Sequence, residues 1–97
     1  MSWIETLLNE FIQEINTNIS RTLDDNYRLS LSRVLVQRSD VHIDVEAIRP
    51  VENDTYAELV QTAVTEIENV LADIWPNATI TLDYPDDNTV TYNVYWS

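Results

Sequence analysis

His42, Asp44 and Glu46 alternate along the chain, a spacing that puts all three side chains on one face of an extended strand. An imidazole with two carboxylates is the set a hard metal ion or a general base would use. Nothing flanking them supplies a further spaced ligand. The stretch therefore reads as the solvent side of a half-buried strand, with a metal-dependent enzyme as the alternative. Asp83, Asp86 and Asp87 form a second acidic group, but it lacks the spacing and the glycine of a calcium loop. A hairpin tip explains it better. Nucleophilic catalysis has little to work with: the chain has no cysteine, no lysine, and one histidine without a recognisable partner serine motif. With no glycine at all, neither kind of phosphate-cradling loop can be built. The expectation is a protein that is not an enzyme and takes no cofactor and no metal.

The carboxylates remain, and their placement is uneven. Residues 1–20 hold Glu5, Glu10 and Glu14 and no cation. Residues 21–49 hold all five arginines, Arg21, Arg28, Arg33, Arg38 and Arg49, against five carboxylates. Residues 50–97 hold nine carboxylates and no cation, so the net charge of −12 belongs to the two ends of the chain. Such a field repels nucleic acid and anionic membrane and attracts basic protein surfaces. The arginines near Tyr27 are expected to pair with acidic elements rather than to grip nucleic acid. Solubility, or adaptation to high salt, would produce the same acidic, lysine-free composition.

The elements that must carry these groups are periodic. Thr55 to Pro76 predicts the clearest amphipathic helix, with Thr55 as N-cap, Glu58 closing a capping box, and Pro76 as the stop. Leu59, Val60, Ala63, Val64, Ile67, Val70, Leu71, Ile74 and Trp75 recur at helical spacing opposite Glu58, Glu66, Glu68 and Asp73. A second helix is expected from about Trp3 to about Ile19, fraying towards Leu23 and capped by Ser2 with Glu5. Its polar side includes Glu10, Glu14 and Asn16. Asp24-Asp25-Asn26 is a turn signal. Tyr27 to Gln37 predicts a strand with Leu29, Leu31 and Leu35 on one face; a short helix capped by Asp24 or Asp25 is the alternative. Val41, Ile43 and Val45 define its partner, after a loop over Gln37 to Asp40. Ile80, Leu82 and Tyr84, then Val90, Tyr92, Val94 and Trp96, define two more strands, joined by a four-residue loop from Pro85 to Asn88.

The chain of 97 residues reads as a single α+β domain, residues 1–97, in the order α-β-β-α-β-β. The simplest packing is a four-stranded antiparallel sheet with two helices on one face. The N-terminus has neither a basic start nor a continuous apolar run, which implies a soluble, cytoplasmic protein. In composition over its whole length, short, acidic, cysteine-free and without an active site, the chain is similar to phage-encoded inhibitors of host nucleic-acid enzymes. Anti-restriction and anti-CRISPR proteins that act as DNA mimics are among them, and bacteriocin immunity proteins are similar in the same broad way. That resemblance transfers no residues, and it would place the protein in the host cell cytoplasm. The reading is a small acidic inhibitor that occludes a basic, nucleic-acid-binding surface of a partner enzyme, without binding nucleic acid or membrane itself. The expected partner-binding residues are Glu10, Glu14, Glu58, Glu66, Glu68, Asp73, Asp86 and Asp87. The alternative is a virion or chaperone-like assembly subunit, or homodimer, that associates through Trp3, Trp75, Tyr95 and Trp96.

Overall fold

Apolar alternation on β-branched residues is cleanest at Val41–Ala47 and Val90–Val94, and these two segments form the middle of the sheet. The computed structural model describes residues 3–49 and 52–96. Its elements are α1 (Trp3–Thr22), β1 (Leu29–Val36), β2 (Asp40–Ala47), α2 (Asp54–Ile74), β3 (Thr79–Asp86) and β4 (Thr89–Tyr95). The sheet is antiparallel throughout, in the order β1-β2-β4-β3. The expected α+β arrangement is the observed one. Because β4 lies between them, β2 and β3 run parallel, and α2 carries the chain across in a split β-α-β unit.

One face of the sheet meets both helices. Ile4, Leu8, Ile12, Ile15 and Ile19 of α1, with Tyr56, Ala63, Val64, Ile67 and Leu71 of α2, close over Val41, Ile43, Val45, Val90, Tyr92 and Val94. The edge strands contribute less: Leu29 is the one fully buried residue of β1, and β3 has none. The first residues of β1 are held by polar bonds instead. Asn16 Nδ2 donates to the Leu29 carbonyl (2.9 Å) while the Leu29 N–H donates to Asn16 Oδ1 (2.7 Å). Tyr56 Oη donates to the Arg28 carbonyl (2.7 Å). Asn16 thus joins a helix to a strand rather than merely facing solvent.

Several local expectations are corrected. The N-cap of α2 is Asn53, whose side chain accepts from the Tyr56 N–H, so the helix begins before Thr55. The stop before Pro76 stands, with Trp75 at φ −127° and ψ 76°. The first helix runs three residues beyond Ile19; its Ser2 cap lies outside the described residues, as does Pro50. Tyr27 to Gln37 does contain a strand, not the alternative helix, but Leu35 is not on the face of Leu29 and Leu31. The register shifts between Leu31 and Arg33, leaving Ser32 as an extra residue. Its hydroxyl donates to the Asp44 carbonyl (3.1 Å). Beyond that bulge Val34 and Val36 take the helix side, opposite Ile43 and Val41, and Leu35 turns to the other face opposite His42.

The last hairpin is tighter than expected. Strand pairing reaches Asp86 and resumes at Thr89, leaving only Asp87 and Asn88 between strands. Asp86 Oδ1 accepts from the Asn88 N–H (2.8 Å), and Asp24 Oδ1 accepts from Asn26 N–H (2.8 Å) after α1. These Asx turns do the work glycine commonly does, and no described residue has positive φ.

Two tests follow from this packing. Asn53→Ala should cost about 1 kcal/mol in urea unfolding, whereas Thr55→Ala, inside the first turn, should cost a few tenths of that. The second test is alkaline. Burial, followed by the charges of Tyr84 and Glu68, pushes the Tyr92 phenol far above its ordinary 10.0, and its Oη donates to the Val64 carbonyl (2.7 Å). Burial also raises Tyr56, opposed by backbone hydrogen bonds at Arg49, Ile48 and Arg28. The unfolded chain therefore releases protons that the fold retains, so stability holds below about pH 10 and falls as pH climbs above it. Tyr92→Phe should flatten most of that alkaline slope.

Candidate functional site

The sheet face away from the helices carries the histidine. His42 and Asp44 project from β2, and their cross-strand neighbours on β4 are Asn93 and Thr91. His42 Nε2 lies 3.0 Å from Asp44 Oδ1, and Nδ1 lies 3.1 Å from Asn93 Oδ1. The same Asp44 oxygen accepts from Thr91 Oγ1 at 2.6 Å. The carboxylate thus fixes Nε2 as a donor and holds the hydroxyl of Thr91, which is 7 % exposed. Glu46 stands further along the strand, exposed and outside this network.

That arrangement has little catalytic capacity. The Thr91 hydroxyl is committed to a carboxylate and makes no bond to the imidazole that would activate it. Among the described residues no three or more His, Asp or Glu side chains are gathered so as to hold a metal ion. The network reads as cross-strand structure: it satisfies polar groups in the middle of an uncovered sheet face.

The expected partner-binding acids fall in three places. Glu10 and Glu14 are exposed on α1, one turn apart and about 6 Å along its axis. On α2, Glu58, Glu66 and Asp73 are exposed within one outward sector, spread over about 22 Å. Glu68 lies two residues past Glu66, about 160° round the helix. It is half-buried on the flank nearer Tyr92. Asp86 and Asp87 are exposed at the β3–β4 tip, where Asp87 shares a groove with Ala57, Val60 and Gln61 of α2. The fold thus brings Asp87 beside the N-terminal half of α2, within the same half of that helix as Glu58. Asp73 stands at its far end, and Glu68 faces elsewhere.

The expected pairing of arginines with acids is not found among the described residues. Among the described residues no arginine lies within ion-pair distance of a carboxylate; the one such contact is His42 with Asp44. Arg49 instead stands over the Tyr27 ring, 5.8 Å from its centroid. All five arginines belong to the end of α1, to β1, or to the loops flanking β1 and β2. The outward faces of α2, β3, and the β3–β4 tip carry none.

A second feature is assembled by the topology. The three tryptophans come from the first turn of α1, the C-cap of α2 and the residue following β4, and they meet in a row. Trp3 and Trp75 have ring centroids 6.1 Å apart and tilted by 47°, while Trp75 and Trp96 stack at 5.9 Å and 24°. Trp3 is 63 % exposed. Tyr95, grouped with them on sequence grounds, faces the opposite side of the sheet, in the row of Asp40 and Thr79. Beside Trp75 and Trp96 is an open hollow of about 390 Å³, lined also by Ile74, Pro76, Asn77 and Ala78. No helix among the described residues is long and apolar enough to cross a membrane. No family model matches the chain, and no curated protein or solved structure matches it.

The network on the open face is checked by deletion. Asp44→Ala strips the acceptor from the buried Thr91 hydroxyl and should cost about 1–3 kcal/mol. Glu46→Ala on the same face should stay within about 0.5 kcal/mol. Equal effects in denaturant unfolding would show that the His42–Asp44–Thr91 bonds add nothing beyond ordinary surface polarity.

Proposed function

We propose that the protein is a small acidic inhibitor that occludes a basic, nucleic-acid-binding surface of a partner enzyme, as a DNA mimic does. The observation that carries this reading is the segregation of charge. Among the described residues, exposed Glu10, Glu14, Glu58, Glu66, Asp73, Asp86 and Asp87 have no arginine within ion-pair distance, and apart from Arg21 in the last turn of α1 every arginine lies on other elements. Leaving like charges unpaired works against folding, so the arrangement suits a surface completed by a basic partner. Along α2 alone the acids are about 10–12 Å apart, far sparser than the one charge per roughly 1.7 Å of a duplex axis. Mimicry therefore requires α1, α2 and the β3–β4 tip together. Their carboxylates would take the place of phosphates against arginine and lysine of the partner, with fast association that weakens as salt rises. Action in the cytoplasm, that of the host cell for a phage-encoded protein, and similarity to anti-CRISPR or anti-restriction proteins are part of this reading.

One observation favours a second reading, an assembly subunit. Trp3 is an exposed large aromatic at the end of a continuous tryptophan row, and exposed aromatics mark interfaces. An oligomer that persists unchanged as salt is raised would support it.

The leading reading is tested by capturing partners from a bacterial lysate at low salt and eluting with a salt gradient. The expected result is one nucleic-acid-binding enzyme, competed off by added duplex DNA. Reversing charge with Glu66→Arg and Asp73→Arg together should weaken its binding by about tenfold or more and flatten the salt dependence. Unchanged affinity in that double variant would remove α2 from the binding surface.

A further inference from the structure

The tryptophan row lies at the C-terminal end of α2, and the features there share one sign. A helix ends in a partial negative charge of about half a unit, which a cation in the last turn normally offsets. The last turn of α2 has no basic residue and contains Asp73. Pro76 has no N–H to give to the Ala72 carbonyl, which the next turn of helix would otherwise have engaged. Trp75 and Trp96, stacked on one another and of the ring type with the strongest attraction for cations, line the hollow beyond that end. No cation of the chain stacks on them among the described residues, whereas Tyr27 already has Arg49 over its ring.

From this the geometry points to a receptor for a cationic side chain: an arginine of a protein partner, seated in the hollow beside the stacked Trp75 and Trp96, beyond the end of α2. A guanidinium suits it better than an ammonium, because its plane stacks on an indole while its edge donors reach carbonyl oxygens. The inference rests on the proposed binding of a basic protein surface and adds to it an aromatic anchor outside the acidic faces. Aromatic residues in a partly desolvated pocket are the usual centres of interface energy, with charged residues around them.

All three tryptophans of the sequence belong to this row, so fluorescence excited selectively in tryptophan reports on this end of the molecule. The probe is acetyl-arginine methylamide, titrated at millimolar concentration, against its neutral isostere acetyl-citrulline methylamide. A saturable change with the arginine compound, at least about fivefold weaker with citrulline, is the expected result. Ala72→Arg, at an exposed position in the last turn of α2, supplies the missing cation internally and should abolish the response without loss of fold. Trp96→Phe keeps a ring and should weaken the response rather than remove it.

Equal responses to both compounds would overturn the inference, since the hollow would then be reading shape and apolar area. So would no saturable response, or concentration-dependent self-association that hides the tryptophans, which would give the hollow to a second copy. Because this titration uses no partner, its outcome is separate from that of the capture experiment. Arginine binding without a captured enzyme would keep the receptor and sink the inhibitor reading, and the reverse result would keep the acidic faces and sink the receptor.

Discussion

Asn16 takes both polar groups of Leu29, its amide standing where a neighbouring strand would otherwise be. β1 is an edge strand, and an edge with free N–H and C=O groups invites pairing with other chains. One side-chain amide closes its first rung and at the same time fixes α1 against the sheet. Tyr56 reaches the next carbonyl back, at Arg28, from α2. The two helices are therefore anchored at adjacent residues of the chain, α1 at Leu29 and α2 at Arg28, and the register of β1 is set from that end. The bulge at Ser32 then brings Val34 over the core from a strand that began in step with Leu29 and Leu31.

The two faces of the sheet are governed by different physics. Towards the helices the chain relies on apolar burial, and even its buried polar atoms, the Tyr56 and Tyr92 hydroxyls, have carbonyl partners. On the far side, His42, Asp44, Thr91 and Asn93 bond to one another across β2 and β4. The cations are confined to one part of the chain, where carboxylates are also present, and the remainder is acidic. Arginines gather around the β1 side, and carboxylates cover α2 and the β3–β4 tip. Because so few of these charges neutralise one another, long-range fields persist outside the molecule.

Where a signal was local, the sequence carried it. Val41, Ile43 and Val45 alternate without interruption, and so do Val90, Tyr92 and Val94; both runs are strands with those residues buried. Leu35 misled because leucines at even spacing assume an unbroken pleat, and a single extra residue at Ser32 inverts the faces beyond it. Thr55 looked like a cap because it has a glutamate three residues on, but Asn53 offers an equally good acceptor and begins the helix a little sooner. Of the two partners of His42, Asp44 is legible two residues along the strand, whereas Asn93 lies about fifty residues away on β4, where nothing near His42 in the chain could reveal it. The three tryptophans group together on sequence grounds, but for the same reason their mutual contact is not legible. Trp3, Trp75 and Trp96 become neighbours only once the strand order is known, while Tyr95, adjacent in sequence, goes to the opposite face.

The place of β4 has a consequence for how the chain reaches this state. β1–β2 and β3–β4 are hairpins whose strands are close in sequence, but they join only through β2 and β4, from Glu46 with Thr89 to Asp40 with Tyr95. Hairpins close in microseconds, whereas pairings across a long intervening segment must first overcome loop-closure entropy. The segment between includes α2, which shortens the effective loop once helical. Docking of two preformed hairpins through their inner strands is therefore the step expected to limit the rate of folding, with the α2 helix as the strut that brings them within reach.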